Sequence, residues 1–283
     1  MDPENLKGVT VKGIAATVVF IIVIQAAAMW FTSVNEPVTS QAGVSYAPAG
    51  TSPSGSLVNA GILILAVFAT TVFAVWLIRS KRVRIFTSVI FLGTALALFL
   101  LTLLTALDVT AGYMSEGVSL YFSLALAVGV VALLAAASRK PKLVILAPLI
   151  TGLLSAEVGS YFASTLNLST ALLLPIVFSV YDIYAVFKGP IKQLVSAAPP
   201  EALVGITSRL GEFAIGTGDT IFYSLLPALA VYQFGTPVAL ETMVAVDVGV
   251  VITLVLLSRA KMLPGLPIPM AMGMAAIILR AVF

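Results

Sequence analysis

A chain of 283 residues that is 60% hydrophobic and 10% charged, with a mean hydropathy of +1.12, is far from the roughly 25% charged composition of soluble domains and reads as an integral membrane protein. The net charge of +3 and the pI near 9.2 come from where the basic residues lie, as shown below, and imply no nucleic-acid partner. Without Cys or His, the chain excludes disulfides, thiolate nucleophiles, Ser-His dyads, H-E-x-x-H zinc sites and imidazole proton relays.

Apolar runs long enough to cross a hydrocarbon core of ~30 Å are predicted near 13–33, 57–78, 85–107, 118–137, 143–163, 168–187, 213–234, 237–258 and 263–282. The first follows Lys7 and Lys12 in the manner of a signal peptide, but it is longer than the 7–15-residue apolar core of such a leader, so a true span is expected. Asn35 to Ser56, rich in Ser, Gly, Pro and Ala, reads as a flexible loop. Lys and Arg then set the orientation. With nine spans, Lys7, Lys12, Arg79, Lys81, Arg82, Arg84, Arg139, Lys140, Lys142, Lys188, Lys192, Arg209, Arg259 and Lys261 all fall on one side, and Arg280 alone does not.

The predicted fold is therefore an all-α polytopic membrane protein of nine transmembrane helices, amino terminus cytoplasmic and carboxy terminus outside. Three regions follow: 1–187 with six spans, a short cytoplasmic linker at 188–212, and 213–283 with three spans. The linker carries Ser-Ala-Ala-Pro-Pro at 196–200, and its Lys188 and Lys192 are placed to meet anionic headgroups. A multi-pass location in a membrane, the cell membrane in a prokaryote, goes with this plan.

Four acids lie well inside predicted spans: Glu157, Asp182, Asp219 and Asp247. A charge at that depth costs between about 3 and more than 10 kcal/mol, so such residues face protein or water and point to function. At ~1.5 Å per residue, Asp182 lies about 9 Å from the flank marked by Lys188, and Asp219 about 10 Å from Glu212 on the same side. Asp247 and Glu157 lie deeper, about 18 and 22 Å in, and match neither the pair nor each other. Depth selects Asp182 and Asp219, on consecutive antiparallel spans.

Two carboxyls held close do not readily both ionise and tend to share a proton. One then takes a proton from water while the other, protonated, polarises a carbonyl. That is acid–base hydrolysis of an amide without His, Cys, metal or cofactor.

Gly216-Thr217-Gly218 precedes Asp219. In a membrane helix this reads either as a close helix contact or as a segment free to leave helical dihedrals. Pro264-Gly265-Leu266-Pro267, with Pro269 following, prevents a regular helix start at the mouth of the ninth run. It reads as an ordinary proline cap or as a polar backbone wall that orients an extended substrate. Tyr181 and Tyr223 flank the aspartates, and packing and site contacts are both open for them. Glu241 and Arg280, near the outer face, are expected to pair.

With these residues in hand, the chain resembles the presenilin and signal peptide peptidase family of GxGD intramembrane aspartyl proteases. Ser179-Val180-Tyr181-Asp182-Ile183-Tyr184-Ala185-Val186-Phe187 resembles the family's Tyr-Asp span, and Gly216-Thr217-Gly218-Asp219 its G-x-G-D motif. Pro264-Gly265-Leu266-Pro267 is similar to its Pro-Ala-Leu-Pro, with Gly265 in place of Ala. The resemblance implies Asp182 and Asp219 as the catalytic pair. It implies Gly216, Thr217, Gly218, Pro264, Gly265, Leu266, Pro267 and Tyr181 as substrate-binding, and transmembrane-helix peptides or signal peptides as substrates. Thr217 stands where presenilins usually carry Leu, and the linker is short beside the hydrophilic loop of animal presenilins. The first bears on substrate choice, and the second suits a single-chain microbial homologue. A proton- or cation-coupled transporter also uses intramembrane carboxylates and broken helices, but no inverted repeat is visible. A prepilin-type peptidase shares the G-x-G-D chemistry on another substrate class.

Overall fold

In a bilayer every backbone N–H and C=O must find its partner within the protein, so apolar runs of this length fold as helices. The computed structural model describes residues 11–42, 46–139, 143, 146–187, 207–210, 213–258 and 263–282, with backbone alone at 35–42, 208–210 and 281–282. Most of the 188–212 linker, and Lys7, Lys140, Lys142, Lys188, Lys192, Arg259 and Lys261, lie outside the described residues.

The described residues form helices α1 (Val11–Ala42), α2 (Pro53–Arg79), α3 (Val83–Thr110), α4 (Glu116–Arg139), α5 (Ala147–Thr165) and α6 (Leu168–Phe187). Strands β1 (Thr207–Leu210) and β2 (Phe213–Gly216) follow, then α7 (Thr217–Phe234), α8 (Thr236–Leu257) and α9 (Pro267–Val282). Six of these helices are long and apolar enough to cross a membrane: α1 over Val11–Val34, α2, α3, α4, α6 and α8.

The other three owe their shorter or more polar character to where they sit. Helix α7 is the core of the bundle, packed against α1, α5 and α8, and every residue from Phe222 to Ala230 is buried. A helix wrapped by protein needs no apolar surface for lipid, and α7 can therefore carry Thr217, Thr220 and Ser224 inward. Small residues bring α5 onto it: Ser155, Ala156, Gly159 and Ala163 are all buried, the spacing that lets membrane helices approach closely. A Cβ on Gly159 would collide with Ser224 Oγ. The hydroxyls there are paired, Ser155 with Thr220 at 2.6 Å and Ser224 donating to the Ser155 carbonyl at 2.9 Å. Gly249 gives the same closeness between α8 and α9, since a Cβ there would lie 2.5 Å from Pro269 Cα.

Two segments depart from the sequence reading. Residues 213–216, read as the start of a span, are instead strand β2, paired antiparallel with β1 from Thr207↔Gly216 to Leu210↔Phe213. Phe-Ala-Ile-Gly is apolar enough to pass for helix, yet Phe213 and Ile215 are buried with Ala214 exposed, the two-residue period of a strand. The run 35–56, read as a flexible loop, is helical through Ala42, and its last turns are fastened. Asn59 accepts from Ala49 N and donates to the Gly50 carbonyl, each at 2.9 Å, and Ser52 caps α2 through the Gly55 N–H.

Candidate active site

Gly216-Thr217-Gly218-Asp219 is a strand-to-helix junction. Gly216 is the N-cap of α7, which places Thr217, Gly218 and Asp219 at N1, N2 and N3. Orphan amides at a helix start need acceptors, and an acid at N3 reaches back to the N-cap amide. The Asp219 carboxyl lies on the Gly216 side of the junction. It lies so near that a Cβ on Gly216 would stand 3.2 Å from Oδ2.

Among the described residues nothing lies within 4 Å of where a Gly218 side chain would be, and at Gly216 the nearest atoms are those of Asp219 in the same helix, so neither glycine makes a close helix contact with these residues. Thr217 is buried, and its carbonyl accepts from Thr220 Oγ1 at 2.9 Å.

Asp182 comes from the last turns of α6 and is half-buried, between exposed Ile183 and Tyr184 and buried Ala185. The two helices make few direct contacts; what lies between them is the start of α9. Leu263–Leu266 is not helical, and α9 begins only at Pro267. Because prolines carry no N–H, the free amides of Pro264–Pro267 are those of Gly265 and Leu266. Leu266 N donates to Asp182 Oδ2 at 3.0 Å, with the Gly265 amide beside the same carboxyl. On the other helix, Asp219 lies against Gly265, where a Cβ would stand 2.9 Å from Oδ2. Both carboxyls thus contact one two-residue segment and are near enough to interact electrostatically.

The remaining candidates divide. Pro264 and Leu266 are buried and hold the segment in place. Tyr181 points elsewhere: its hydroxyl donates to Thr71 Oγ1 of α2 at 3.0 Å. Tyr223, which the sequence left between packing and site, belongs here, its hydroxyl donating to the Gly265 carbonyl at 2.9 Å. The signal was its spacing, four residues after Asp219 and hence on the same helix face, whereas Tyr181 is rotated ~100° from Asp182.

Glu157 is apart from this cluster in its contacts, and Asp247 reaches it only through Gln25. Glu157 accepts from Thr102 Oγ1 at 2.8 Å. Asp247 lies beside Gln25, whose amide donates to the Tyr223 carbonyl at 3.3 Å. Glu241 and Arg280 form the expected pair, through both Nε and Nη2 of the guanidinium. No group of three or more acids suited to hold a metal ion occurs among the described residues.

No family model matches the sequence, and no curated protein matches it. The fold does match solved structures. One, described as a presenilin family intramembrane aspartate protease in a C222 crystal form, aligns with a TM-score of 0.68 at 21% identity, over 95% of this chain and 98% of the other. A second, of the same description in a P2 crystal form, aligns with a TM-score of 0.65 at 21% identity, over 97% and 98%. The chain has the fold of these proteases along nearly its whole length.

Proposed function

We propose that this chain is an intramembrane aspartyl protease, hydrolysing peptide bonds within transmembrane segments of membrane proteins or signal peptides. The observation that carries the reading is the meeting of Asp182 and Asp219 on the Gly265–Leu266 backbone. Two acids from different helices converge on one irregular segment at the end of the bundle. Irregular backbone in a membrane protein is stable only against protein or a water-filled cavity. The shared fold supports the same conclusion.

In the proposed reaction one carboxylate takes a proton from water, and the resulting hydroxide equivalent attacks the scissile carbonyl. The protonated partner donates to the carbonyl oxygen. Collapse of the tetrahedral intermediate breaks the C–N bond, and the leaving nitrogen takes a proton from the pair. Because the two acids act as a unit, the rate has a bell-shaped pH profile whose limbs belong to the pair and not to either residue.

A peptide bond in a helix is shielded, so the substrate must be unwound before attack. The β1–β2 hairpin runs straight into Asp219 and, as a two-stranded sheet among the described residues, offers edge hydrogen bonds to an extended strand. Among the described residues the space over Gly218 is open, which leaves room for it. In this reading the chain crosses the membrane nine times, with α5, α7 and α9 joining the six longer spans.

The test is reconstitution with a single-span peptide substrate. Asp182→Ala and Asp219→Ala should each abolish cleavage, by about 10³-fold or more given the contribution of each acid–base partner. A transition-state analogue of aspartyl proteases should block the unmodified chain. Cleavage that survives either substitution removes the proposal.

A further inference from the structure

We infer that Tyr223 is a positioning residue for the carboxylate pair, holding by its hydroxyl the single peptide group that spans from α7 to Asp182. The inference rests on the protease reading above. Gly265 C=O and Leu266 N–H belong to one peptide group, which is rigid and planar, with oxygen and hydrogen on opposite sides. Tyr223 Oη donates to that oxygen at 2.9 Å. Asp182 Oδ2 accepts from that hydrogen, with an N···O distance of 3.0 Å. A bar fixed at both ends joins the two helices that carry the acids.

The bar needs fixing because of its neighbours. Pro264 and Pro267 lock their own φ angles, which leaves Gly265, the least restricted residue type, as the pivot between them. Rotation there would turn the Leu266 amide away from Asp182. The same Gly265 carries the second carboxyl, since Asp219 Oδ2 would stand 2.9 Å from a Cβ and Tyr223 Oη 3.3 Å from it. One hydroxyl therefore fixes a backbone unit against which both acids are seated. Tyr223 is itself only 4% exposed, so its ring is held by the core while its hydroxyl does the fastening.

Tyr223→Phe keeps the ring and removes the fastening. Hydrogen exchange in the full-length protein reads the result directly, because the fragment 263–269 has amide protons only on Leu263, Gly265, Leu266 and Ile268. Exchange in this fragment should accelerate about fivefold, the factor one net hydrogen bond supports. With a single-span substrate, kcat should fall by about five- to tenfold while KM stays within about twofold, because the loss is of geometry and not of substrate contact.

Gly265→Ala gives a second reading. Its cost in kcat should be smaller in the Tyr223→Phe background than alone, since the two residues contact one another and such effects are not additive. Unchanged exchange together with unchanged kcat in Tyr223→Phe overturns the inference, and so does a rise in KM alone, which would make Tyr223 a substrate contact. Failure of the protease reading is visible separately, as an unmodified chain that cleaves nothing although the exchange shift is present.

Discussion

Gly216 and Gly218 are two residues apart, and each meets a different constraint. A Cβ at 216 would stand 3.2 Å from Asp219 Oδ2, whereas one at 218 meets nothing among the described residues. Gly216→Ala should therefore displace the Asp219 carboxyl and lower kcat, with little change in thermal midpoint. Gly218→Ala, at the second position of a helix, should leave the fold intact and raise stability by up to about 0.5–1 kcal/mol through the propensity of Ala over Gly. Any loss of activity in that variant then reports crowding of the space a substrate would use. Thermal unfolding and cleavage, measured side by side, separate the two glycines. Asp182 and Asp219 stood out in the sequence because acids are costly in apolar runs; the depth arithmetic that paired them took 213–219 as helix, and strand β2 removes it for Asp219. The Pro264–Pro267 segment was read as a backbone wall, but which of its peptide groups meets the acids was not legible. It depends on α9 arriving against α6 and α7, which no local spacing reports, and Gly265 therefore looked like an ordinary departure from Ala.

At the scale of elements, the site depends on how α9 is seated. Pro269 of α9 lies over Gly249 of α8, where a Cβ would stand 2.5 Å from Pro269 Cα and 2.9 Å from its N. Those are backbone atoms and cannot rotate aside. Gly249→Ala should cost about 1–3 kcal/mol, the usual range for overpacking. It should also move the 263–266 segment away from Asp182, so that the thermal midpoint and kcat fall together. A variant that loses neither would show that α8 and α9 can part without disturbing the acids. Run length predicted the helices well, because a bilayer forces long apolar runs into that form. It misplaced the start of α7 because hydropathy does not distinguish a buried strand from a buried helix over four residues. The alternation of Phe213, Ala214 and Ile215 carried the distinction but was too short to outweigh the apolar run beside it.

For the whole molecule, charge placement and helix packing bear on the same question, the number of crossings. Arg280 is the one basic residue that nine crossings leave on the outer side, and it is neutralised by Glu241 across the α8–α9 interface. The pair is exposed, so Glu241→Gln should cost no more than about 1 kcal/mol; thermal unfolding checks this. Helix α5 decides the count more sharply, since it is not among the six helices long and apolar enough to cross and it carries Glu157, Ser155 and Ser160, all buried. Its polarity is directed at α1, α3 and α7. Ser160 accepts from Thr32 at 3.0 Å and Glu157 from Thr102 at 2.8 Å, so little of it would face lipid if α5 crosses. The absence of Cys makes the question directly testable with single-cysteine variants and a membrane-impermeant thiol reagent in oriented vesicles. Ser80, Gly112 and Ser169 are all exposed at helix ends. Nine crossings place Ser80→Cys on the cytoplasmic side and Gly112→Cys opposite it, with Ser169→Cys sharing the side of Gly112. If α5 does not cross, Ser169→Cys is labelled together with Ser80→Cys instead. The ends of α6 and α7 that carry the two acids could then no longer lie at one level on the cytoplasmic side, and the proposed reaction would lose its supply of water from that face.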